Sequence, residues 1–522
     1  MSKANSGLSG SQRWTLVVAC MSVTVVIASM SALYTALPDV TTSTGATQAE
    51  LTWVVDGYTL ALACLVLPAG ALGDRFGRRA ALIAGLTIFA GASIVPAVVH
   101  ETGWLIGARV VAGIGAALVM PSTLSLLTAG FPSDRHGTAV GIWAGVAGSG
   151  AVAGILGSGL LLEYCSWPAI FVCLSAAGVA LLIAALTIPE SIDRQRVAFD
   201  ATGAITAATA IGLFVVGLIE GPVRGWSDPL VLIALIGAAL TAVLFVGVEH
   251  RATHPMLDLA LFTNRAFGSA TVTIVLQFLV TFGAFLLLVQ YLQLILGYSA
   301  LGAAGAIAPV AIPLVGISLL ATSIASRVGL RAMNVSGLLV IAMSLYLISR
   351  LQSTSGYLDV CVVMILMGAG IGLCTAPSTE AIVVNTPSDK QGVAAAVNDA
   401  AREIGAAIGI AIAGSVLAAG YANRIDPVLS QIPAAARIPV SNSLAAALEV
   451  ADHAGPAGVQ LAHAANAAFI HGTHNAALIL AAITAVSAVI IAAWAPRRHT
   501  KPIADPVLAT PTAATITVHT HE

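Results

Sequence analysis

The stretch Gly70-Ala71-Leu72-Gly73-Asp74-Arg75-Phe76-Gly77-Arg78-Arg79-Ala80-Ala81-Leu82 decides the fold. It is a short charged turn between two apolar runs, 53–72 and 80–99. Each run reaches the ~20 residues that a helix needs to cross a bilayer. Gly73 and Gly77 permit a tight turn, because glycine adopts backbone conformations closed to other residues. Arg75, Arg78 and Arg79 anchor the turn among cytoplasmic headgroups. Asp74 does not fit a purely positive anchor. An acid is favoured at the N-terminus of a neighbouring helix, so the turn is expected to do more than fix topology.

Apolar runs of this kind recur along the chain. Fourteen are expected to span: 14–37, 53–72, 80–99, 103–127, 139–162, 169–188, 204–219, 230–248, 269–289, 302–323, 332–349, 357–384, 393–417 and 476–494. The chain is 58% hydrophobic and only 9% charged, where a soluble domain carries about 25% charged residues. A soluble fold has nowhere to bury so much apolar surface, so lipid must solvate it. The 50 glycines suit helices that pack backbone to backbone. The reading is an all-α integral membrane protein with fourteen transmembrane helices. The first run is too long for the apolar core of a signal peptide and has no convincing cleavage site, so it reads as the first span.

Several function classes drop out. Cys20, Cys64, Cys165, Cys173, Cys361 and Cys374 form no C-x-x-C pair and no metal spacing, so neither a disulfide framework nor a metal centre is expected. A net charge of −2 carries no nucleic-acid signal. There is no Walker sequence, nucleotide-binding domain or nucleophile triad, so the chain reads as neither an ATP-driven pump nor an enzyme. The preference for Arg over Lys and the abundance of Ala point to a GC-rich bacterial genome.

The distribution of Lys and Arg orients the spans. With a cytoplasmic N-terminus, sixteen fall inside, four (Arg224, Arg350, Arg424 and Arg437) fall outside, and Arg109 and Arg402 lie within spans. Cytoplasmic loops are enriched in Lys and Arg, so both termini are expected in the cytoplasm.

The chain also repeats itself. Pro132-Ser133-Asp134-Arg135-His136-Gly137 recurs 255 residues later as Pro387-Ser388-Asp389-Lys390-Gln391-Gly392. The same offset carries Gly113, Gly115, Gly150, Gly154 and Gly159 to Gly368, Gly370, Gly405, Gly409 and Gly414. Spans 4–5 match spans 12–13 in the same membrane orientation, which is a parallel duplication. Two like-oriented halves with a cargo site between them is a transporter architecture. The expected organisation is a tail (1–13), a six-helix bundle (14–188), a central insertion of two helices (189–268), a second six-helix bundle (269–494) with a helical extracytoplasmic loop (420–473), and a cytoplasmic disordered tail (495–522). Four histidines in or beside that loop, His453, His463, His471 and His474, are weak pH-sensing candidates.

At Gly70–Arg79 the sequence resembles the major facilitator superfamily signature G-x-L-a-D-r-x-G-r-[KR] at nearly every position. With fourteen spans the chain looks like the 14-span drug:proton antiporter family. The resemblance implies the major facilitator fold. It also implies that Gly70, Asp74, Arg75, Gly77, Arg78 and Arg79 latch the two halves on the cytoplasmic side and stabilise the outward-open state.

Span 4 carries Arg109 in Leu105-Ile106-Gly107-Ala108-Arg109-Val110-Val111-Ala112-Gly113-Ile114-Gly115. A cation in a span costs at least ~2.5 kcal/mol and so needs a reason. Its repeat-mate is Met364, so the scaffold does not demand the charge. The segment resembles the family motif l-x-x-x-R-x-x-q-G-x-G, whose Arg is tied to proton transfer, with Ala112 in place of Gln; the alternative is an arginine that snorkels. Gly141, Gly150, Gly154 and Gly159 of span 5 resemble the antiporter motif g-x8-G-x3-G-P-x2-G-G, with Ile155 for Pro and Ser158 for one Gly. A packing face alone is the other reading. In span 1 the register set by Ala36-Leu37-Pro38 puts Ser29 where the family has an acid and Tyr34 where it has Asn.

With that acid missing, Asp56 in Trp53-Val54-Val55-Asp56-Gly57-Tyr58 is the leading candidate to carry a proton or a cation, at a depth near that of Arg109. Withdrawal from water favours the protonated form of a carboxyl group. The alternative is an interfacial Asp that caps the helix. In span 13, Asp399 and Arg402 sit three residues apart and face each other. Their mates are Ala144 and Ala147, so they belong either to a coupling network or to a gating ion pair. Glu380, near the end of span 12, is a weaker cargo-site candidate.

The expected function is secondary active export of drugs or other small amphipathic compounds in exchange for protons, from a bacterial plasma membrane. No cofactor is expected, since the proton gradient supplies the energy. The expected partners are the cargo, protons and lipid; no nucleic acid is among them, and the protein is expected to work as a monomer. An endogenous metabolite or lipid as cargo, an uncoupled facilitator, and a non-transporting sensor are the rival readings.

Overall fold

The computed structural model describes residues 9–496, except 45, 47, 100, 133–134, 192–199, 388–389, 431, 443 and 454–455. The repeated Ser-Asp pairs 133–134 and 388–389, Arg194, Arg196 and the end stretches 1–8 and 497–522 lie outside the described residues, and the part of the first tail from Gly10 on already belongs to α1.

The described chain is helical throughout. Its α-helices are α1 (Gly10–Ser31), α2 (Leu37–Thr44), α3 (Gln48–Phe76), α4 (Arg78–Val98), α5 (Thr102–Gly130), α6 (His136–Tyr164), α7 (Pro168–Ala185), α8 (Ala201–Arg224), α9 (Pro229–Arg251), α10 (Arg265–Gln290), α11 (Ala300–Ile307), α12 (Ala311–Val328), α13 (Leu330–Ile348), α14 (Tyr357–Val384), α15 (Gln391–Leu429), α16 (Ala434–Asn442), α17 (Leu444–His453) and α18 (Pro456–Trp494). In lipid a backbone must satisfy its own polar groups, which a helix does within one segment. Fourteen stretches are long and apolar enough to cross a membrane, α11 and α12 forming one of them.

Side chains mark the helix starts. Ser9 and Gln12 form a capping box at α1. Asp200 caps α8, Asp228 caps α9, Asn264 caps α10 and Ser299 caps α11, each accepting from a backbone N–H of the first turn. Gly77 (φ 109°) and Gly329 (φ 92°) open α4 and α13 in a backbone region that other residues rarely enter.

The two halves are built alike. One core gathers residues mainly of α1 and α3–α7, a second residues mainly of α10–α18. Gly150 and Gly154 of α6 press on Ile27 and Ala28 of α1, and their mates Gly405 and Gly409 of α15 press on Val275 and Leu279 of α10. Pro121 interrupts the hydrogen bonding of α5, and Pro377 that of α14. A third core joins α8 to α3, α10 and α15, which places α8 on the seam between the halves. The other helix of that hairpin, α9, buries few of its residues and leaves Ile233, Leu240 and Val243 facing outward.

Two expectations need adjustment. The first span ends at Ser31, and a 3-10 turn (Ala32–Thr35) leads into α2. The stretch 420–473 is less a loop than the prolonged ends of two spans, since α15 runs on to Leu429 and α18 begins at Pro456. Its alanines favour helix wherever nothing breaks it. Among the described residues α16 and α17 lie between, with Val440, Leu444, Ala447 and Ala451 buried.

Candidate functional site

The Gly70–Arg79 turn meets α15 at one end of the bundle, here termed the latch end. Asp74 is 8% exposed. Its Oδ1 accepts from the backbone N–H of Gly392 at 2.9 Å, and its Oδ2 from that of Val393 at 3.1 Å. These are orphan donors of the first turn of α15, in the half opposite to Asp74. Arg78 closes the set, donating from Nε at 3.0 Å and Nη2 at 2.8 Å to Oδ1. A carboxylate at a helix N-terminus with an arginine at its back is held by charge-assisted bonds, the strong class. Two glycines make the approach possible. A Cβ on Gly70 would stand 2.4 Å from the Gly392 carbonyl oxygen, and a Cβ on Gly392 would stand 2.5 Å from the Gly70 oxygen.

The rest of the turn serves its own half. Arg78 Nη1 donates to Ser191 at 3.1 Å, and Arg79 Nη2 to the Leu186 carbonyl at 2.5 Å. The Arg79 backbone N–H donates to Glu190 at 3.1 Å. Arg75 lies over the Phe76 ring. Asp74 is therefore the member of the turn whose side chain bonds across the seam.

A second carboxylate closes on the same seam. Glu380, near the end of α14, lies against the first turn of α6, where a Cβ on Gly137 would stand 2.6 Å from its Oε1. Gly137 is the repeat-mate of Gly392. The two cross-half contacts are thus related by the duplication, although the carboxylates come from non-equivalent helices.

Deeper in, Arg109 is 2% exposed. Its Nε donates to the Val54 carbonyl at 3.0 Å and its Nη1 to Ser29 Oγ at 2.9 Å. Its guanidinium lies 4.3 Å from the Tyr58 ring centroid, and the Tyr58 hydroxyl donates to the Val26 carbonyl at 2.9 Å. The arginine does not snorkel; it ties α1, α3 and α5 together. Its hydroxyl partner, Ser29, stands at the position where the resembled family carries an acid.

Arg109 and Asp56 lie at similar depth but are not brought together. Val54 and Tyr58 turn toward Arg109, while Asp56 turns toward α8. There it lines a small open cleft with Trp53, Val216, Ile219 and Glu220. Glu220 also pairs with Arg224 one turn along α8. Glu220 does not stand out in the sequence, because no spacing shows that α8 packs on α3.

The largest group of buried charge lies on α15 at the seam. Asp399 is fully buried and Arg402 is 5% exposed, with Nη1 3.9 Å from Asp399 Oδ1. Arg402 lies between two rings, 4.7 Å from that of Trp143 on α6 and 5.3 Å from that of Phe278 on α10. The Trp143 indole N–H donates to Thr123 at 3.1 Å, which fixes the ring. Asn398 donates to Asp399 at 3.3 Å and accepts from Thr379 at 2.9 Å. Even so, Asp399 Oδ2 and Arg402 Nε and Nη2 have no hydrogen-bond partner in the protein. Glu403 belongs with this group: it acts electrostatically on Tyr58, and Asp399 and Arg402 act on it. From sequence alone Glu403 looks like an ordinary helix residue beside an ion pair.

The glycines of α6 divide their work. Gly150 and Gly154 serve the α1 contact described above, while Gly141 packs on the Ser318 carbonyl of α12 and Gly159 on Leu301 of α11. The motif thus works both within its half and across the seam. Among the described residues no group of three or more His, Cys, Asp or Glu is placed to hold a metal ion.

Comparison with known proteins gives a consistent picture. Residues 19–410 match the Major Facilitator Superfamily. The chain is 31% identical over 502 residues to the Tetracenomycin C resistance and export protein of Streptomyces glaucescens, covering 93% of this chain and 92% of that protein. It is 33% identical over 398 residues to the Multidrug resistance protein Stp of Mycobacterium tuberculosis, covering 76% and 74%. The solved structure of the human organic anion transporter MFSD10 superposes with a TM-score of 0.60 at 12% identity, covering 92% of this chain and 99% of that one, a likeness of fold.

Proposed function

Because the chain belongs to the major facilitator superfamily, as a multi-pass membrane transporter, we propose that it exports drugs or other small amphipathic compounds across a bacterial plasma membrane in exchange for protons. The latch end faces the cytoplasm in this reading, with both termini beside it, and the chain acts as a monomer without cofactor or metal. The observation that carries the proposal is the charge buried at the seam. Asp399 has no access to water and leaves one carboxylate oxygen without a hydrogen bond. A charge so placed is costly in a static scaffold. It is accounted for if the group gains and loses a proton as the halves rock. The names of the bacterial relatives, which speak of drug resistance and export, support the direction and the class of cargo.

In this reading Asp74, Arg78 and the paired glycines hold the latch end shut, and Arg75 and Arg79 set the turn at the membrane face. Asp399, Arg402 and Glu403 are the coupling group, and Arg109 transmits their state through Tyr58 to α1 and α3. Asp56 and Glu220 flank a path near the opposite end, suited to a cationic group on the cargo. Ser29 favours a second reading, uncoupled facilitation, because it puts a neutral hydroxyl beside Arg109.

The test is efflux of a fluorescent lipophilic cation from proteoliposomes under an imposed pH gradient, with and without a protonophore. Export that needs the gradient, and that falls at least about tenfold in Asp399→Asn and Arg109→Ala with protein levels intact, supports the proposal. Export that survives the protonophore would favour the facilitator. If nothing moves across a broad panel of drugs, an endogenous cargo takes the place of drug export. Asp56→Asn is expected to lower transport of cationic cargo more than that of neutral cargo.

A further inference from the structure

At the latch end of the α8–α9 hairpin two carboxylates converge on one glycine. A Cβ on Gly203 would stand 2.5 Å from Asp200 Oδ2 and 2.6 Å from Glu249 Oε1. Both oxygens border the space that this missing side chain leaves, which puts them within about 5 Å of each other. Both are buried, and neither has a hydrogen-bond partner in the protein. Glu249 is 3% exposed, although it lies only two residues from the end of its helix.

The remaining oxygen of each group is committed to the backbone. Asp200 Oδ1 accepts from the Gly203 N–H at 2.8 Å and so caps α8. Glu249 Oε2 accepts from the Leu257 N–H at 3.3 Å and so holds the linker that leads to α10. The charged groups that act on Glu249 are Asp200 from the start of α8 and Lys390 from the turn before α15. From the linker it meets the backbone N–H groups of Leu257 and Met256. Lys390 does not hydrogen-bond either open oxygen.

Two ionised carboxylates at this separation, out of water, repel strongly; one proton held between them removes the repulsion and fills both open positions. A metal ion fits less well. Hard cations seek about six oxygen ligands, and the described residues place no third His, Cys, Asp or Glu beside the pair.

We propose that Glu249 holds a proton taken from the aqueous phase at the latch end and donates it to the open oxygen of Asp200, forming a pH-sensitive clasp on the α8–α9 hairpin. The step is a plain ionisation: the O–H bond of Glu249 breaks, the proton passes to water, and two carboxylates remain. The protonated clasp joins the start of α8, the end of α9 and the linker to α10. Its ionisation drives the two acids apart and frees the linker. The clasp stands apart from the seam charges, and its test needs neither cargo nor a proton gradient; only the naming of that aqueous phase as cytoplasm rests on the orientation proposed above.

Hydrogen–deuterium exchange of the linker around Leu257 tests this on the full chain in nanodiscs, from mildly acidic to mildly alkaline pH, with rates corrected for intrinsic exchange. Wild-type protection should fall roughly tenfold as the clasp ionises. Glu249→Gln and Asp200→Asn each keep the backbone acceptor and supply an amide N–H in place of the bridging proton, so either should leave protection high and independent of pH. Gly203→Ala, whose Cβ would push into both oxygens, should lower protection at every pH. Wild type and both amide variants responding alike to pH would overturn the proposal. So would wild-type protection that follows Na+ or Mg2+ concentration at constant pH, which would assign the pair to a metal ion. Infrared spectroscopy gives a second reading that does not depend on linker motion: a protonated-carboxyl band that titrates in wild type should be missing from Glu249→Gln, and a band that persists there contradicts the proton on Glu249.

Discussion

The latch end is closed by two contacts that the internal repeat makes comparable. Gly392 opens α15 and receives Asp74 from α3; its mate Gly137 opens α6 and receives Glu380 from α14. Asp74 accepts two backbone N–H groups across the seam and is backed by two bonds from Arg78. Glu380 has the helix N-terminus beside it and, among the described residues, no arginine paired with it. The turn equivalent to Gly73–Arg78 in the second half reads Ala325-Ser326-Arg327-Val328-Gly329-Leu330. Gly329 keeps the left-handed backbone of Gly77, but Ser326 stands for Asp74 and Leu330 for Arg78. The duplication has therefore preserved the shape of the turn on both sides and the Asp–Arg pair on one. Hydrogen bonds to charged groups contribute about 1.5–3 kcal/mol each, while a charge near a helix terminus contributes about 0.3–1 kcal/mol, rarely more than ~2. The Asp74 contact should dominate closure, with Glu380 as trim.

The largest effect is expected from Asp74→Ala. It removes the acceptor for two backbone donors and strands Arg78 in a buried site, a change that costs about 3–5 kcal/mol. Efflux in proteoliposomes should drop by about two orders of magnitude, and thermal stability should drop with it. Asp74→Asn, which keeps one acceptor oxygen, should fall between this variant and wild type.

Next comes Gly392→Ala. Its Cβ would stand 2.5 Å from the Gly70 oxygen and 2.7 Å from the Asp74 carboxyl carbon. Overpacking of this kind costs about 1–3 kcal/mol, so transport should fall about tenfold. The matching Gly137→Ala meets a side chain that can swing away and should be milder. Equal effects from these two substitutions would break the comparison.

The smallest effect is expected from Glu380→Gln, a change of about twofold to fivefold in efflux, since ~1 kcal/mol or less is at stake. If Glu380→Gln disables the transporter as fully as Asp74→Ala, Glu380 carries more than closure, and the cargo-site role that the sequence suggests for it regains weight.

The fold was readable because hydropathy at bilayer length survives any detail of packing. All fourteen spans are present, and the span 357–384 coincides with α14. The repeat was readable because its glycines are demanded by close approach: Gly150, Gly154, Gly405 and Gly409 each press on the first helix of their own half. The setting of Asp74 was readable too, since an acid amid arginines suggests a helix terminus.

What was not readable depends on contacts between distant segments. Asp200 and Glu249 look like an ordinary cap and an ordinary helix end, 49 residues apart, until the hairpin folds over Gly203. Glu220 joins Asp56 only because α8 lies on the seam. Arg402 owes its position to Trp143 in the other half, a pairing that no spacing encodes. The match of Gly137 to Gly392 was on view in the sequence, but the residue that fills the Gly137 site comes from a helix not equivalent to the source of Asp74.

The most direct test of the latch is a distance across it. Spin labels at Phe76 and Ser326, both exposed at the latch end on opposite halves, should report one short distance in wild type on a cysteine-free background. Asp74→Asn should move most of the population to a longer distance, because losing one charge-assisted contact of about 2 kcal/mol shifts a two-state balance by about thirtyfold. A wild type already spread over both distances, or a variant whose distribution matches wild type, would contradict the assignment of Asp74 as the bond that keeps this end shut.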